Sequence, residues 1–473
     1  MKLLLLAALV VTAVFGALWI ALDYVNAPPR TLARYLERRA DGHRPALEDI
    51  GRFAAGVLLA LDRGRAQRAL PIAAPLAPDV QAMVSTPEGP LRSVTVASAE
   101  EALRAIGDAK PGDAITFLPG TYRFDGTYIA ASQPATPAAP ILVRAEKRGS
   151  VVLEFNMVEG FLVSAPNWSF ENLVIRGVCA DHSNCEHAFH VVGNATHFLA
   201  RNNEIVDFNA HFKINGSAGR YPDFGVIEGN TLRNDSIRDT GNPVTLIDLV
   251  AASHWRIRGN RITDFVKGRS DRISYGAFVK GGGADNRFEQ NIVVCEDRLR
   301  DSAGQRVGLS LGGGGSSADA CRGGRCITEQ DRSVIASNLI AACSDDGIYL
   351  NRAAMSLIAH NTLIDTGGIT ARFGESSADV EGNLVDGPMR AQDGATLHPR
   401  DNIDTRAAAL YLGWHPVRRL FADALALDLH WRRDPPRRHD IGDPPADLCG
   451  TRRPRQPTYG AFEDIARCAG GAS

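Results

Sequence analysis

Eight asparagines open short β-prone clauses along this chain, at a spacing of about one turn of a stacked coil. They are Asn172, Asn203, Asn230, Asn260, Asn291, Asn338, Asn361 and Asn383, with gaps of 31, 27, 30, 31, 47, 23 and 22 residues. Short β runs at such a period, without helical periodicity, specify a solenoid of strands. Asn tolerates the left-handed conformation and caps backbone groups at corners. Stacked one above another, the Asn side chains are expected to form a hydrogen-bonded ladder. The second residue after each Asn is aliphatic and is expected to point inward. The fold class is therefore all-β, a parallel β-helix, whose long outer face suits a linear polymer.

A solenoid core grows along one axis, so 473 residues need not mean several globular domains. The 46 Gly and 25 Pro fit a turn-rich all-β body. A net charge of −2 gives no global argument for nucleic acid as a partner. The arginines gather in Arg30–Arg44, Arg63–Arg68 and Arg432–Arg455, read most simply as solvated faces of helices and tails.

Leu3 to Leu22 carries no charge, which is long enough to span a bilayer core. Residues 1–27 thus read as an uncleaved signal anchor in the inner membrane, with a cleaved signal peptide as the alternative. Residues 28–68 carry apolar residues at three- and four-residue steps, interrupted by Pro45, and predict a helical stalk of two helices. Five prolines mark 69–93 as a linker. The β-helix is expected over 94–398, its open end covered by a short helix at Ala99–Ile106, and an irregular cap follows over 399–473.

An even count of eight cysteines beside an export segment reads as disulfides, and places the body in the periplasm or outside the cell. Cys179 with Cys185, Cys321 with Cys326, and Cys449 with Cys468 are expected local staples. Cys295 and Cys343 follow successive Asn clauses and are expected to join neighbouring coils. Neither C-x5-C nor C-x4-C has the spacing of a zinc finger. The 47-residue gap places a long loop, Gly312 to Gln330, on one coil, and long loops are disproportionately functional.

Pro111-Gly-Asp113 through Pro119-Gly-Thr-Tyr122, then Ala138–Ala145 and Val151-Val-Leu153, resemble the opening coils of the chondroitinase-B and alginate lyase family of polysaccharide lyases. The repeats resemble pectate-lyase-like right-handed parallel β-helix proteins more broadly, which implies a right-handed coil here, and Asp447–Pro454 with Gly460–Glu463 resembles the closing segment of exported β-helix proteins. The resemblance implies an acidic polysaccharide as partner and β-elimination as the reaction. It also implies a catalytic Lys, which Lys280 in Phe278-Val-Lys-Gly-Gly-Gly283 matches by position. The family's calcium ligands would fall at Ile273 and Tyr275, which are poor calcium donors, and Leu309-Ser-Leu-Gly-Gly313 lacks the family's Arg-His-Gly. No cofactor and no metal ligand set is expected, and calcium stays open only through the resemblance.

Strand alternation places His190, His211, Lys213, Asp248, Phe278, Lys280, Ser310, Tyr349, Asn351 and Arg372 outward. With coils about 4.8 Å apart, His190, Lys213, Asp248, Lys280, Ser310, Tyr349 and Arg372 are expected in one vertical groove. Lys280 is the candidate base for the proton beside a uronate carboxylate. Tyr349 and Arg306 are the candidate acids. Lys213 and Arg372 would neutralise substrate carboxylates, with His190, His211, Asp248 and Ser310 as further substrate contacts. Asp248, between two lysines, would hold them charged. Gly281–Gly283 and Gly312–Gly315 lack the strand–glycine–helix context of a phosphate loop and read as tight corners. Asp345-Asp346-Gly347 resembles the paired acids of pectin-degrading hydrolases but is a turn signal first. Two further readings stand beside the lyase: a non-catalytic carbohydrate-binding or envelope-scaffold protein, and a uronate epimerase.

Overall fold

The computed structural model of the protein describes residues 16–64, 92–439 and 444–469, apart from positions 17, 18, 20, 23, 41, 43, 301, 314 and 315. Most of the apolar stretch 3–22 and nearly all of the 69–93 segment lie outside the described residues. No helix among the described residues is long and apolar enough to cross a membrane.

Three long parallel sheets of 12, 10 and 11 strands form the body. Each coil gives one strand to each sheet. In one coil, Leu199–Arg201 joins the 12-stranded sheet, Glu204–Val206 the 11-stranded sheet and Ala210–Asn215 the 10-stranded sheet. Inward residues stack in columns: Phe161, Phe189 and Phe212 lie face to face, with centroids 5.3 and 5.2 Å apart. The helix Ala99–Gly107, capped by the Ser98 hydroxyl, inserts Ala102 and Ile106 into the first coil and covers its open end.

The asparagine ladder is continuous from Asn203 to Asn402. Each Oδ1 accepts from the backbone N–H and the side-chain amide of the Asn one coil earlier, as Asn291 does from Asn260 at 3.0 Å each. The Nδ2 of Asn291 also donates to the Ile257 carbonyl at 2.9 Å, so the side chain satisfies backbone groups that a buried corner would otherwise orphan. Two details differ from the sequence reading. Asn172 is not a rung: Leu173 holds the ladder position and donates its N–H to Asn203 Oδ1. The shift turns Val174 away from the core and Ile175 into it, paired with Ile205. Also, the left-handed residue is the one before each rung (Asn202, Gln290, Ser337 and His360 among them), and Asn172, with φ 64°, is that residue in its own coil. The ladder adds Asn402, which donates Nδ2–H to the Val380 carbonyl.

Aliphatic residues directly after the rungs, such as Ile292, Leu339 and Leu384, face outward yet are buried. The C-terminal segment covers them with Val417, Phe421, Leu429, Leu448 and Phe462. The N-terminal helices Pro29–Ala40 and Pro45–Arg63 dock along a corner of the same late coils. Arg30 is fully buried there, bonded to Asp62 (2.6 Å), Asp365 (3.1 Å) and the Cys343 carbonyl (2.7 Å). Arg63 bridges Glu296 and Asp365, and Arg34 meets Asp345 at 2.7 Å. Arg438 and Arg453 are buried too. The arginine clusters therefore include buried anchors as well as solvated charges, because each buried guanidinium finds carboxylates or carbonyls. With these surfaces covered, the outer face of the 10-stranded sheet carries the groove.

All eight cysteines are paired: Cys179–Cys185, Cys295–Cys343, Cys321–Cys326 and Cys449–Cys468. Cys295–Cys343 joins successive coils, with Cα atoms 4.8 Å apart.

Two outcomes are expected. Asn291→Ala leaves the Asn260 N–H without its acceptor and removes the side-chain donor to the Ile257 carbonyl, and should lower stability by roughly 2–4 kcal/mol. Asn194→Ala, at an exposed asparagine outside the ladder, should cost less than about 1 kcal/mol, so equal denaturation midpoints for the two variants would contradict the ladder. Thiol titration of the denatured, unreduced protein should find no free thiol, and full titration only after reduction.

Candidate functional site

Alternation sorts most inward and outward residues of the 10-stranded sheet, Phe373 and the His187–His190 stretch excepted, but register sorts residues into rows, and the rows differ from the single groove expected. The first row runs His190, Lys213, Asp248, Phe278, Ser310, Tyr349, Thr370, Arg390. The second, two residues along each strand, runs Val192, Asn215, Val250, Lys280, then Asn351, Arg372 and Gln392. Lys280 and Arg372 thus belong to the second row. Gly312 follows Leu311 on the coil between Lys280 and Asn351 with φ 76°, and a Cβ there would meet the Asn351 carbonyl at 1.9 Å.

Lys280 ends the strand Ile273–Lys280 and enters a cleft of about 620 Å³ shared with Lys213, Asn215, Tyr221, Ser317 and Asp319. Its Nζ lies 4.7 Å from the Phe278 ring centroid, a cation–π contact, and among the described residues it makes no ion pair. A Cβ on Gly313 would stand 3.0 Å from Lys280 Cδ, so the glycine gives the side chain its path. The cleft wall comes from the long loop that the 47-residue gap announced. Arg322, beside Cys321, reaches back to Asp223 at 2.8 Å and to the Ala251 carbonyl at 3.0 Å, and stacks 4.4 Å over Tyr221. Its own N–H donates to the Gly281 carbonyl. The disulfide Cys321–Cys326 closes the loop that carries this strap.

The other expected site residues fall into three groups. Lys213 and Asp248 form an ion pair at 2.7 Å, so Asp248 serves Lys213, while Phe278 occupies its row beside Lys280. Arg372 pairs with Asp393 at 2.6 Å, which raises its already high pKa. Tyr349 is half-buried, its hydroxyl pushed up by burial, and accepts from Asn351 Nδ2 at 3.3 Å. Phe373 is not inward as expected; it lies partly exposed, with Arg372 and Arg352 over its ring.

Three residues are withdrawn from the surface. His211 is fully buried against Phe208 and bonded to Asn234, and burial pushes its pKa down to about 3. Ser310 is buried and donates to the Gly312 carbonyl. Arg306 is buried on Glu296 (2.7 Å) and the Ala303 carbonyl (2.9 Å), and burial lowers its pKa. It is held inside the fold and does not line the cleft that Lys280 enters. Asp345 and Asp346 are also engaged, Asp345 by Arg34 and buried Asp346 by Thr370 (2.9 Å) and Arg390 (2.6 Å).

The calcium positions of the resembled lyases do not fit this chain. Tyr275 packs edge-on against Phe278 and is partly buried, and Ile273 offers no side-chain oxygen. At the opposite end of the first row, Glu159, His187 and His190 converge, with candidate ligand atoms all within 4.8 Å of one another. Alternation hid this cluster, because residues three apart on a strand belong on opposite faces. The strand bends at Ala188, which has no register partner and is fully buried, and both histidines emerge on the same side.

No family model matches the sequence, and no curated protein matches it. Solved structures do. The pectate lyase Pel9A aligns with a TM-score of 0.50 at 13% identity, covering 79% of this chain and 97% of its own. A rhamnogalacturonan lyase aligns at 0.46 and 13% identity, covering 66% and 87%. An alginate lyase from Paenibacillus sp. strain FPU-7 aligns at 0.35 and 16% identity, covering 66% and 99%. At such identities the likeness concerns the fold alone, and the chain shares the parallel β-helix of the pectate lyase.

Proposed function

We propose that the chain is an exported protein that cleaves an acidic polysaccharide by β-elimination in the cleft around Lys280. The observation that carries this reading is Lys280 itself. It is a cation without a carboxylate partner among the described residues, placed in an open cleft against an aromatic ring. An amine so placed can take the proton beside a uronate carboxylate once it is deprotonated. Tyr349 then protonates the leaving oxygen, its coil two rungs away, about 10 Å along the axis. Arg372, beside Tyr349, and Lys213 receive substrate carboxylates by exchanging them for Asp393 and Asp248.

Four disulfides support an oxidising compartment, periplasm or extracellular space, with the apolar stretch 3–22 as anchor or secretion signal. The ion pairs on Lys213 and Arg372 favour a second reading, a carbohydrate-binding protein without catalysis. Incubation with alginate, pectate and chondroitin separates the two. A lyase yields an unsaturated product that absorbs in the ultraviolet, and a binder yields none.

On the polymer that is cleaved, Lys280→Ala should lower turnover by roughly 100-fold or more, with melting unchanged because the side chain is partly exposed. Full activity in that variant would move the catalytic centre elsewhere. Tyr349→Phe should lose comparable activity and stay folded. Arg306→Ala should instead cost roughly 2–4 kcal/mol of stability, by emptying a buried site and removing the donor to the Ser302 and Ala303 carbonyls while Arg63 still holds Glu296, so a folded Arg306→Ala protein that is specifically inactive would return Arg306 to the chemistry.

A further inference from the structure

Glu159, His187 and His190 sit on two adjacent strands of the 10-stranded sheet, at the edge of the groove. Glu159 Oε1 lies 2.8 Å from His190 Nδ1 and 3.8 Å from His187 Nδ1. The side chains are 24%, 19% and 13% exposed for Glu159, His190 and His187, so the cluster is sheltered but opens to solvent.

The hydrogen-bond arithmetic at His190 is unusual. Its Nε2 meets Asn215 Oδ1 at 2.8 Å, and Asn215 Nδ2 donates to the Gly216 carbonyl at 3.0 Å, which fixes the amide so that its oxygen faces the histidine. His190 Nε2 therefore carries a proton. In a neutral ring, Nδ1 then presents a lone pair to the Glu159 carboxylate, and two lone pairs at 2.8 Å repel. His187 Nδ1 points at the same carboxylate oxygen, is buried, and has no hydrogen-bond partner. A second proton on the His190 ring would answer the first feature and leave His187 Nδ1 without a partner, whereas one metal cation among the three atoms answers both.

We propose that Glu159, His187 and His190 form a binding site for one divalent transition-metal ion of the zinc type. The donor set is two imidazole nitrogens and one carboxylate oxygen, which suits zinc and its neighbours rather than calcium or magnesium. Tetrahedral coordination at about 2.0–2.1 Å puts ligand atoms roughly 3.3 Å apart, and the observed 2.8 and 3.8 Å bracket that value. The Asn215 contact supplies the outer-shell hydrogen bond that metal-bound imidazoles ordinarily have, and the Glu186 carboxylate lies 3.8 Å from Nε2 of the second ring. Three protein ligands leave a fourth position for water or a ligand oxygen. Asn215 also lines the Lys280 cleft, so the ion would brace the end of that cleft. The site does not depend on the lyase reading.

The test is zinc binding to tag-free protein stripped with a chelator, followed by calorimetry and by metal analysis after dialysis. One zinc ion per chain is expected. Glu159→Gln, His187→Ala and His190→Gln should each weaken binding at least tenfold, while His254→Ala, at a histidine outside the cluster, should leave it unchanged. Circular dichroism confirms that each variant is folded, and Glu159→Gln, which keeps shape and volume, carries the result if a histidine variant unfolds. Calcium at equal concentration should not displace zinc. The absence of saturable one-to-one binding, or equal affinity in Glu159→Gln, overturns the site, and displacement by calcium overturns its assignment to transition metals.

Discussion

The asparagine ladder is the constraint on which the remaining structure depends. Each rung answers the backbone N–H of the rung before it and a carbonyl across the corner, so coils lock at strand spacing without slipping in register. A slip by one residue would turn every inward aliphatic outward. Asn172 illustrates what the lock controls. One residue out of phase with the ladder, it becomes the left-handed residue of its corner, and the inward position passes from Val174 to Ile175. The outer face inherits the same lattice, so which polar residues stand side by side is decided by hydrogen bonds at the opposite corner.

Charge burial organises what covers the coils. Arg30 carries no exposed surface, and burying it unpaired would cost far more than any single contact returns. The N-terminal helices therefore dock only where Asp62, Asp365 and the Cys343 carbonyl meet the guanidinium together. The same corner supplies Glu296, which is shared by Arg63 and Arg306. Arg306 thus belongs to the joint between helices and coils, and its place on a strand near the groove is incidental to substrate contact.

Much of the fold was legible because its signals are periodic and local: the rung spacing, the inward aliphatic two residues on, and cysteines at equivalent places in successive coils. The site was less legible because alternation gives a face and not a row. Lys280 lies two residues beyond Phe278, and which of them stands opposite Asp248 depends on where each coil enters the sheet. That entry point is set by corners with irregular lengths. Burial by distant segments was equally invisible. His211 is enclosed by Phe208 and Asn234, and Arg306 by Glu296 and the carbonyls of 302 and 303. The histidine pair was missed because the bend at Ala188 breaks the period of two on which face assignment rests.

The groove's electrostatics follow from this lattice. Lys213 and Arg372 already hold carboxylates, so an acidic polymer gains at those places only the difference between its own carboxylate and the protein's. Such exchange is close to neutral in energy and selects for geometry, since a chain whose carboxylates miss the row spacing gains nothing. Lys280 differs in kind. Phe278 separates its row from Asp248, and the glycines beyond it offer no side chain to neutralise it. An approaching anion would therefore meet paired cations along the groove and one cation with no carboxylate to displace, and the chemistry proposed for Lys280 builds on that asymmetry.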